Sequence, residues 1–460
     1  MNQIILNKKT PPDRYKEKRS FLTPARVLVI GFLVISLVGT LLLMLSTSTI
    51  TGNGLSFIDA LFTSTSALCV TGLVVVDTGT TFTLFGQIVI LLLIQIGGLG
   101  FMTFATLFSI LLGKKITLKE RLLLQEALNQ VTLEGIVRLT KYVISISFIV
   151  EAIGALILSI RWSFDMGWSK ALYFGIFHSV SAFNNAGFDL FGNFSSITSY
   201  QKDLVTNSTM MILIILGGFG FVVLSDFYTN YNRKKSLHTK IVVQTSLLFI
   251  MIGAILIFLL EFSNPQTLGA LDTGGKALTS IFQSVTPRTA GFNTVDISQL
   301  RDTTQLLIIV LMFIGASPGS TGGGIKTTTI LTIALSVINT FKGCNNVTYK
   351  ERTIPKDIIH RAIAITSLAV LLILITTSIL TITEKADFMP LFFESVSAFG
   401  TVGLSMGVTT QLSQMGKIAI IITMFCGRLG PLTVAFALGQ NYKKNYLRQI
   451  KYPDERIIIG

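Results

Sequence analysis

Long apolar runs recur along the whole chain, and they set the strongest limit on what it can fold into. A helix needs roughly 20 residues to cross a bilayer. Runs near or above this length lie at about 25–47, 84–112, 140–160, 208–226, 241–262, 305–340, 360–383 and 416–439. Only 13% of the 460 residues are charged, about half the fraction in soluble proteins. The sequence therefore predicts an all-α polytopic membrane protein with eight spans.

Lysine and arginine form blocks that alternate along the chain with cation-poor segments. The basic blocks cover 8–26, 114–141, 233–240, 342–361 and 443–456. The cation-poor segments cover 48–83, 162–207, 263–304 and 384–415. This alternation follows the positive-inside rule for eight crossings and predicts that both termini are cytoplasmic. The net charge of +14 then reflects topology and contact with anionic membrane lipid, and we expect no nucleic-acid binding.

Residues that could support catalysis or hold a metal are scattered through the chain. The cysteines are odd in number and lack metal-ligand spacing, and the histidines lie far apart: Cys69, Cys344, Cys426, His178, His238 and His360. We expect no enzyme activity and no cofactor in this chain. The predicted cytoplasmic segments between spans are too short for a soluble nucleotide-binding domain, so such a regulator would be a separate polypeptide.

A motif on the predicted outer side occurs four times. Each copy reads Phe-x-Ser-x-[Ser/Thr] and ends at a glycine followed by Leu or Phe: FTSTSALCVTGL (62–73), FHSVSAFNNAGF (177–188), FQSVTPRTAGF (282–292) and FESVSAFGTVGL (393–404). The spacing of these glycines, about 110 residues, indicates an internal repeat. We therefore divide the chain into a cytoplasmic arm (1–24), unit one (25–113), unit two (114–231), unit three (232–341), unit four (342–440) and a cytoplasmic tail (441–460).

The stretch before each motif glycine is apolar but too short to cross a bilayer. A helix of 10–15 residues covers roughly 15–22 Å of a hydrocarbon core about 30 Å thick, so it must enter and leave on one side. Loops at membrane depth are tolerated where they line a water-filled cavity. Four such loops around one central pore could turn carbonyl oxygens towards a cation, with negative helix ends pointing inward. The alternative is that these small residues mark close helix packing.

The apolar run 305–340 is interrupted by the sequence SPGSTGGGIKTTT (317–329). It nearly matches a phosphate-binding Walker loop, but its lysine is displaced by one residue and membrane spans flank it. Proline and repeated glycine disfavour a continuous helix, so we expect this span to break near 315–326. The hypothesis is a movable gate beneath the glycine loops, formed by Gly315, Ser317, Pro318, Gly319, Gly322, Gly323, Gly324, Lys326 and Arg428.

The two cations of this gate each have an alternative role. Charged residues inside a membrane commonly lie on an ion path, so Arg428 could be a fixed charge that raises the barrier to cations. It could instead form a structural ion pair with Glu151, which lies within the run 140–160. Lys326 could act in the gate or extend to the cytoplasmic interface.

Four phrases resemble the Trk/Ktr/HKT superfamily of potassium transporters, and specifically the membrane subunit of bacterial Ktr systems: VTGLVVVDT, SAFNNAGFDLFG, TPRTAGFNT and FGTVGLSMG. The resemblance covers nearly the whole chain. It implies four tandem repeats of helix, pore helix, filter loop and helix around a single pore, as in potassium channels. It also implies that K⁺ binds in a filter formed by Val70, Thr71, Gly72, Asn185, Ala186, Gly187, Thr289, Ala290, Gly291, Thr401, Val402 and Gly403.

The resemblance carries further expectations about ion, gate and partners. Sodium-preferring plant and fungal relatives can have serine where this chain has Gly72, so potassium is the expected ion. Relatives have an intramembrane loop in the third repeat and an arginine in the fourth that act as the gate. About 24 polar residues before the first span favour the Ktr type. That type forms homodimers in the bacterial plasma membrane, on a cytosolic ring of nucleotide-binding regulatory subunits that the basic loop 233–235 and the tails could dock.

The expected function is channel-like potassium uptake, driven by the membrane potential and gated by the regulatory subunit, with sodium assistance left open. A second hypothesis is a secondary transporter for an organic solute, whose broken helices would form a midplane site. Such transporters usually have inverted repeats and two broken helices, whereas this sequence indicates four parallel units. A third hypothesis, a membrane enzyme, lacks a catalytic constellation.

Overall fold

The computed structural model of the chain describes residues 23–112, 116–127, 135–229, 234–344, 346–350 and 352–439. Most of the predicted arm, the predicted tail and Arg233 of the basic loop lie outside these ranges. The described residues are mainly helical. A small antiparallel hairpin joins β1 (Thr348–Tyr349) to β2 (Arg352–Thr353), and Lys350 at its turn donates from Nζ to Gln244 Oε1 at 2.9 Å.

The helices of the described ranges follow one another with short connections. In chain order they are α1 (Pro24–Leu43), α2 (Phe57–Leu68), α3 (Thr78–Thr81), α4 (Leu84–Leu99), α5 (Phe101–Leu111), α6 (Leu118–Ala127), α7 (Ile136–Met166), α8 (Trp168–Phe183), α9 (Leu204–Phe219), α10 (Phe221–Thr229), α11 (Leu237–Glu261), α12 (Thr273–Val285), α13 (Asp302–Phe313), α14 (Thr327–Phe341), α15 (Lys356–Thr383), α16 (Phe388–Gly400), α17 (Gln414–Leu429) and α18 (Pro431–Gly439).

Within the described ranges, four helices are each long and apolar enough to cross a membrane: α1, α7, α11 and α15. Each one is the first helix of membrane-spanning length in a predicted unit. Side-chain oxygens of Thr23 and Ser236 accept N–H groups in the first turns of α1 and α11, which satisfies donors that a helix start leaves free. The outer faces of these helices expose large apolar side chains, such as Leu41 (62%) and Leu259 (66%). In a bilayer such faces are solvated by lipid.

A short helix follows each long one, at the position predicted for the re-entrant segments. These helices are α2, α8, α12 and α16, with 12, 16, 13 and 13 residues. The phenylalanine that opens each motif is completely buried: Phe62, Phe177, Phe282 and Phe393. The packed core of the protein therefore lies around the short helices, inside the layer of long ones.

The first serine of the motif attaches three of the short helices to the preceding long helix. The hydroxyls of Ser64, Ser179 and Ser284 donate to backbone carbonyls of α1, α7 and α11 at 2.6–2.7 Å. Three residues after each accepting carbonyl lies a glycine, and a Cβ there would collide with the serine hydroxyl. In unit four Ser395 donates instead to Leu391 O within its own helix, at 2.9 Å. The repeated serine thus sets how closely short and long helices pack.

The second apolar run of every unit is divided into two helices, which corrects the prediction of a break in unit three alone. Helix pairs α4/α5, α9/α10 and α17/α18 meet at Gly100, Gly220 and Gly430, with φ of 82°, 92° and 86°. Glycine adopts this backbone without the Cβ clash of other residues, so each helix ends there. The bends are 98° in units two and four. In the described residues four helices, or six if each bent pair counts once, meet the criteria for a span, against eight predicted.

Candidate functional site

The four predicted filter triplets share one backbone conformation. The first residue of each has a left-handed φ, with values of 56°, 59°, 77° and 49° at Val70, Asn185, Thr289 and Thr401. Non-glycine residues rarely adopt such values. The glycine two positions later is also left-handed, with φ between 72° and 90° in all four triplets. Each triplet begins one to four residues after the end of a short helix, so the four loops are local equivalents of one another.

The four triplet glycines lie against one another in a closed order. A Cβ added to Gly72 would lie 3.1 Å from the Cα of Gly187, and one added to Gly187 would lie 3.1 Å from the Cα of Gly291. Likewise, a Cβ added to Gly291 would lie 3.3 Å from the Cα of Gly403, and one added to Gly403 would lie 3.0 Å from the Cα of Gly72. We call this arrangement the glycine circuit. Any side chain in the circuit would collide with the backbone of the next triplet, so a residue other than glycine fits only if that triplet moves.

The second serine or threonine of each motif fixes the outer end of its triplet. In units one and four, Ser66 and Ser397 each accept the N–H of the circuit glycine at 3.2 Å. In units two and three, Ser181 and Thr286 each donate to the carbonyl of the residue after that glycine, at 2.8 and 2.5 Å. The sequence showed that this position repeats but gave no signal of its hydrogen-bond partner.

Residues 315–326, the gate loop, join α13 to α14 and lie against three of the triplets. The hydroxyl of Thr321 donates to Asn185 Oδ1 at 3.1 Å, and the N–H of Gly323 donates to Thr401 Oγ1 at 3.0 Å. A Cβ on Gly322 would collide with the side chain of Thr289. The break predicted near 315–326 is therefore present, and the loop contacts the first residue of triplets two, three and four.

The gate loop also pairs with the bent helix of unit two. The N–H of Ser317 donates to Gly218 O at 3.0 Å, and the N–H of Thr321 donates to Gly217 O at 3.3 Å. In return, the N–H of Phe221 donates to Gly319 O at 2.8 Å. These carbonyls and N–H groups are free because α9 ends at Gly220, and each needs a partner when buried. The helix break in unit two thus supplies the loop with backbone hydrogen bonds.

Arg428 joins the gate loop to unit one. Its guanidinium donates to the backbone carbonyls of Thr321, Gly97 and Gly98. Hydrogen bonds from a charged donor to carbonyl oxygens are stronger than neutral ones. The side chain is half-buried at the end of α17, and it bridges three segments that are far apart in sequence.

The proposed alternative pairing of Arg428 with Glu151 is absent from the described residues. Gln95 Nε2 donates to both carboxylate oxygens of Glu151, at 3.0 and 3.1 Å. Asn184 Nδ2 donates to one of them at 3.0 Å. The side-chain amides of Gln95, in α4, and Asn184, just after α8, therefore solvate this buried carboxylate next to triplet two. Lys326 turns inward rather than to the interface, since its Nζ donates to Gly322 O at 2.6 Å.

A cavity of about 570 Å³ lies on the other side of the gate loop from the triplets. Part of its wall is formed by Arg428, by the adjoining ends of α4 and α17, and by seven residues of the gate loop: Pro318, Gly319, Ser320, Gly322, Gly324, Ile325 and Lys326. His238, Asp357 and Arg361 also line it. None of the twelve triplet residues lines this cavity, whereas the gate loop contacts both the cavity and the triplets.

Comparison with known proteins places this geometry in a family. A family model described as "TrkH: Cation transport protein" matches residues 3–444. The chain is 48% identical over 439 residues to "Ktr system potassium uptake protein B" of Bacillus subtilis, covering 95% of this chain and 97% of that protein. It is 38% identical over 453 residues to "Potassium/sodium uptake protein NtpJ" of Enterococcus hirae, covering 97% and 99%.

A solved structure shares the fold. The crystal structure of the potassium transporter TrkH from Vibrio parahaemolyticus aligns with a TM-score of 0.73 at 18% sequence identity, covering 94% of this chain and 88% of that one. The fold is therefore that of a polytopic membrane transporter, and its known relatives are transport proteins rather than enzymes. The match to the family model extends over nearly the whole chain. The chain belongs to the TrkH family of cation transport proteins.

Proposed function

We propose that this chain is the membrane subunit of a Ktr-type bacterial potassium uptake system. In this proposal the four units surround a single central pore, both termini are cytoplasmic, and K⁺ passes through the glycine circuit. The observation that carries the proposal is the circuit itself, in which four equivalent triplets bring their glycines into contact in chain order. The similarity to a Ktr system potassium uptake protein B and to a potassium/sodium uptake protein supports potassium as the transported ion.

The triplets have the chemistry that a K⁺ filter requires. A filter replaces the hydration shell of the ion by rings of backbone carbonyl oxygens. The first and third residues of each triplet have positive φ, and the second does not. This alternation of φ can turn successive carbonyl oxygens to the same side, as rings around an ion need. The C-terminal ends of four short helices lie next to the triplets, and their partial negative charge favours a cation. All twelve triplet residues predicted from the sequence are assigned to the filter in this proposal.

The gate loop and Arg428 form the barrier of the proposed pore. The loop residues Thr321, Gly322 and Gly323 lie directly against the triplets, where they would block an ion leaving the filter. Arg428 contributes a positive charge bound to three carbonyls that a passing cation could otherwise use. Opening then requires two changes: the loop leaves the triplets, and Arg428 releases the carbonyl of Thr321 in the loop.

The membrane potential is sufficient to drive uptake without chemistry in this chain. Moving one positive charge inward yields about 2.3 kcal/mol per 100 mV, and each 1.4 kcal/mol corresponds to tenfold in an equilibrium. A potential of about 100 mV therefore supports roughly fifty-fold accumulation of K⁺. Sodium assistance is a separate question, which a comparison of uptake with and without Na⁺ decides.

The proposal includes a separate regulator that moves the gate loop. We propose that it is the cytosolic ring of nucleotide-binding subunits expected for Ktr systems, acting on a homodimer of this chain. Helix α14 continues directly from the gate loop towards the basic segment 342–361. A partner that contacts this segment could move α14 and thereby pull the loop from the triplets.

Uptake by a bacterium that lacks its own K⁺ transporters tests the function. We expect expression of this chain with its regulatory partner to restore growth at low K⁺, and K⁺ uptake to exceed Na⁺ uptake by at least about tenfold. Expression of the chain alone should give weaker growth, because the loop then stays closed. Restored growth that requires an organic solute, or equal rates for both ions, would contradict the proposal.

Replacing Arg428 tests the barrier separately from the filter. We expect Arg428→Gln to raise the resting K⁺ flux about tenfold, because a charge-assisted hydrogen bond to a buried carbonyl contributes roughly 1.5–3 kcal/mol. K⁺ efflux from loaded liposomes, measured with an ion-selective electrode, gives this flux. Arg361→Gln is the matched control, since it removes an equal charge from the same cavity. Equal fluxes in both variants would show that cavity charge, and not the bond to the loop, forms the barrier.

A further inference from the structure

The residue between the phenylalanine and the first serine of each motif differs in every unit. These residues are Thr63, His178, Gln283 and Glu394. All four are buried, with exposed fractions of at most 1%. Each lies eight or nine residues before its circuit glycine, so the four side chains occupy equivalent places on the short helices. A buried polar side chain is costly unless it is hydrogen-bonded, so the partners of these four are informative.

His178 in unit two binds the chain just outside its triplet. Its Nε2 accepts the backbone N–H of Leu190 at 3.3 Å, three residues past the circuit glycine. Its Nδ1 lies 2.7 Å from Phe174 O. A ring that accepts at Nε2 and donates at Nδ1 is a neutral imidazole with a defined tautomer. Both nitrogens of the buried ring are therefore occupied, and one of them holds the outer segment.

Gln283 and Glu394 make the same connection in units three and four. Gln283 Nε2 donates to Thr294 Oγ1 at 3.3 Å, again three residues past the circuit glycine. The carboxylate of Glu394 accepts Ser405 Oγ at 2.8 Å, two residues past the glycine, and also the hydroxyl of Thr409. A carboxylate offers two acceptor oxygens, so Glu394 holds two points of the outer segment where the other side chains hold one.

Unit one lacks this connection. The hydroxyl of Thr63 is buried and has no hydrogen-bond partner among the described residues. Threonine ends at its γ atom, whereas glutamine, glutamate and histidine carry their polar atoms one or two bonds further out. The side chain of unit one is therefore too short to reach the segment beyond its triplet.

We propose that His178, Gln283 and Glu394 are outer braces that fix the exits of triplets two, three and four, and that Glu394 is a positioning residue for ion selectivity. The inference rests on the proposed function, in which the glycine circuit is the K⁺ filter. The braces act from the short helix on the segment immediately outside each glycine, and so they limit how far the triplet can widen or narrow around an ion. Triplet one has no brace, so its backbone can move more easily than that of the three other triplets.

The test compares the ratio of K⁺ to Na⁺ uptake in variants of Glu394, measured in liposomes. We expect Glu394→Leu to reduce this ratio about tenfold, because it leaves the buried hydroxyl of Thr409 and the half-buried hydroxyl of Ser405 without their carboxylate acceptor. Glu394→Gln, which keeps an acceptor and adds a donor that hydroxyls can accept, should restore most of the ratio. Ser395→Ala is the matched control: it removes a buried hydrogen bond within the same helix but no link to the outer segment. Its ratio should match that of the wild type even if Tm falls.

Two further variants distinguish an incorrect brace hypothesis from a variant that does not fold and from an incorrect filter hypothesis. The double variant Ser405→Ala/Thr409→Val removes the partners of Glu394 from the other side, and it should reproduce the loss if Glu394→Leu does not fold. Gly403→Ser alters the circuit directly. A changed ratio for Gly403→Ser with wild-type ratios for both brace variants would overturn the braces alone. An unchanged ratio for Gly403→Ser would overturn the filter, and an equal loss for Ser395→Ala would reduce Glu394 to a general structural role.

Discussion

Deleting residues 319–324 is expected to raise the resting K⁺ flux through the chain, without its partner, by at least about tenfold. The deletion removes the contacts of Thr321, Gly322 and Gly323 with triplets two, three and four. It also removes Thr321 O, one of the three carbonyls that hold Arg428. Both parts of the proposed barrier are lost together, so the effect should exceed that of changing Arg428 alone. The measurement is K⁺ efflux from loaded liposomes at zero imposed potential.

A matched variant keeps this result interpretable. Ser320→Ala shortens no segment and removes only the bond from Ser320 Oγ to Ser317 O, 2.6 Å long and internal to the loop. Its flux should remain within about twofold of the wild type. Size-exclusion profiles and Tm in detergent report whether the deletion variant is folded. A folded deletion variant with wild-type or lower flux would exclude the loop as the barrier.

Replacing Gly72 by serine is expected to have the second large effect, a loss of at least about tenfold in the ratio of K⁺ to Na⁺ uptake. Gly72 has φ of +87°, and a Cβ there would collide with Ala186 O. The neighbouring triplet must move to admit the side chain, so the carbonyl positions that discriminate between the two ions change. Uptake of the two ions into liposomes, under an imposed inward-negative potential, gives the ratio.

Gly52 provides the control for backbone strain. Its φ is +73°, close to that of Gly72, and nothing lies within 4 Å of an added Cβ. Gly52→Ser therefore imposes a similar conformational cost, about 1–2 kcal/mol, at an exposed position. We expect a small fall in Tm and an unchanged ion ratio. Wild-type selectivity in Gly72→Ser would count against this glycine as part of the filter.

The positions of the short helices could be predicted from the sequence, because each is an apolar stretch too short to cross a bilayer. The division into four units, inferred from the spacing of the glycines, stays a prediction. The proline and glycines between 315 and 326 predicted the helix break that the gate loop forms between α13 and α14. The short helices and the break both depend on residues that are close together in the chain.

The partners of the site residues could not be predicted, because they are distant in sequence. Arg428 binds carbonyls 107 and about 330 positions away, and any backbone carbonyl looks the same in a sequence. A search for an oppositely charged residue pointed to Glu151, which is solvated instead by the amides of Gln95 and Asn184. The bends at the three other glycine clusters were also missed, since a glycine within an apolar run is compatible with a continuous helix.

The glycine circuit also has a genetic consequence. Its four glycines belong to one polypeptide, whereas a pore assembled from four identical chains repeats every residue four times. A single codon change therefore alters one of the four circuit glycines and leaves the other three unchanged. The first residues of the triplets already differ, being valine, asparagine, threonine and threonine. If the circuit is the proposed filter, selection can thus change one quarter of the opening at a time, and intermediates between two ion preferences can be reached by single mutations.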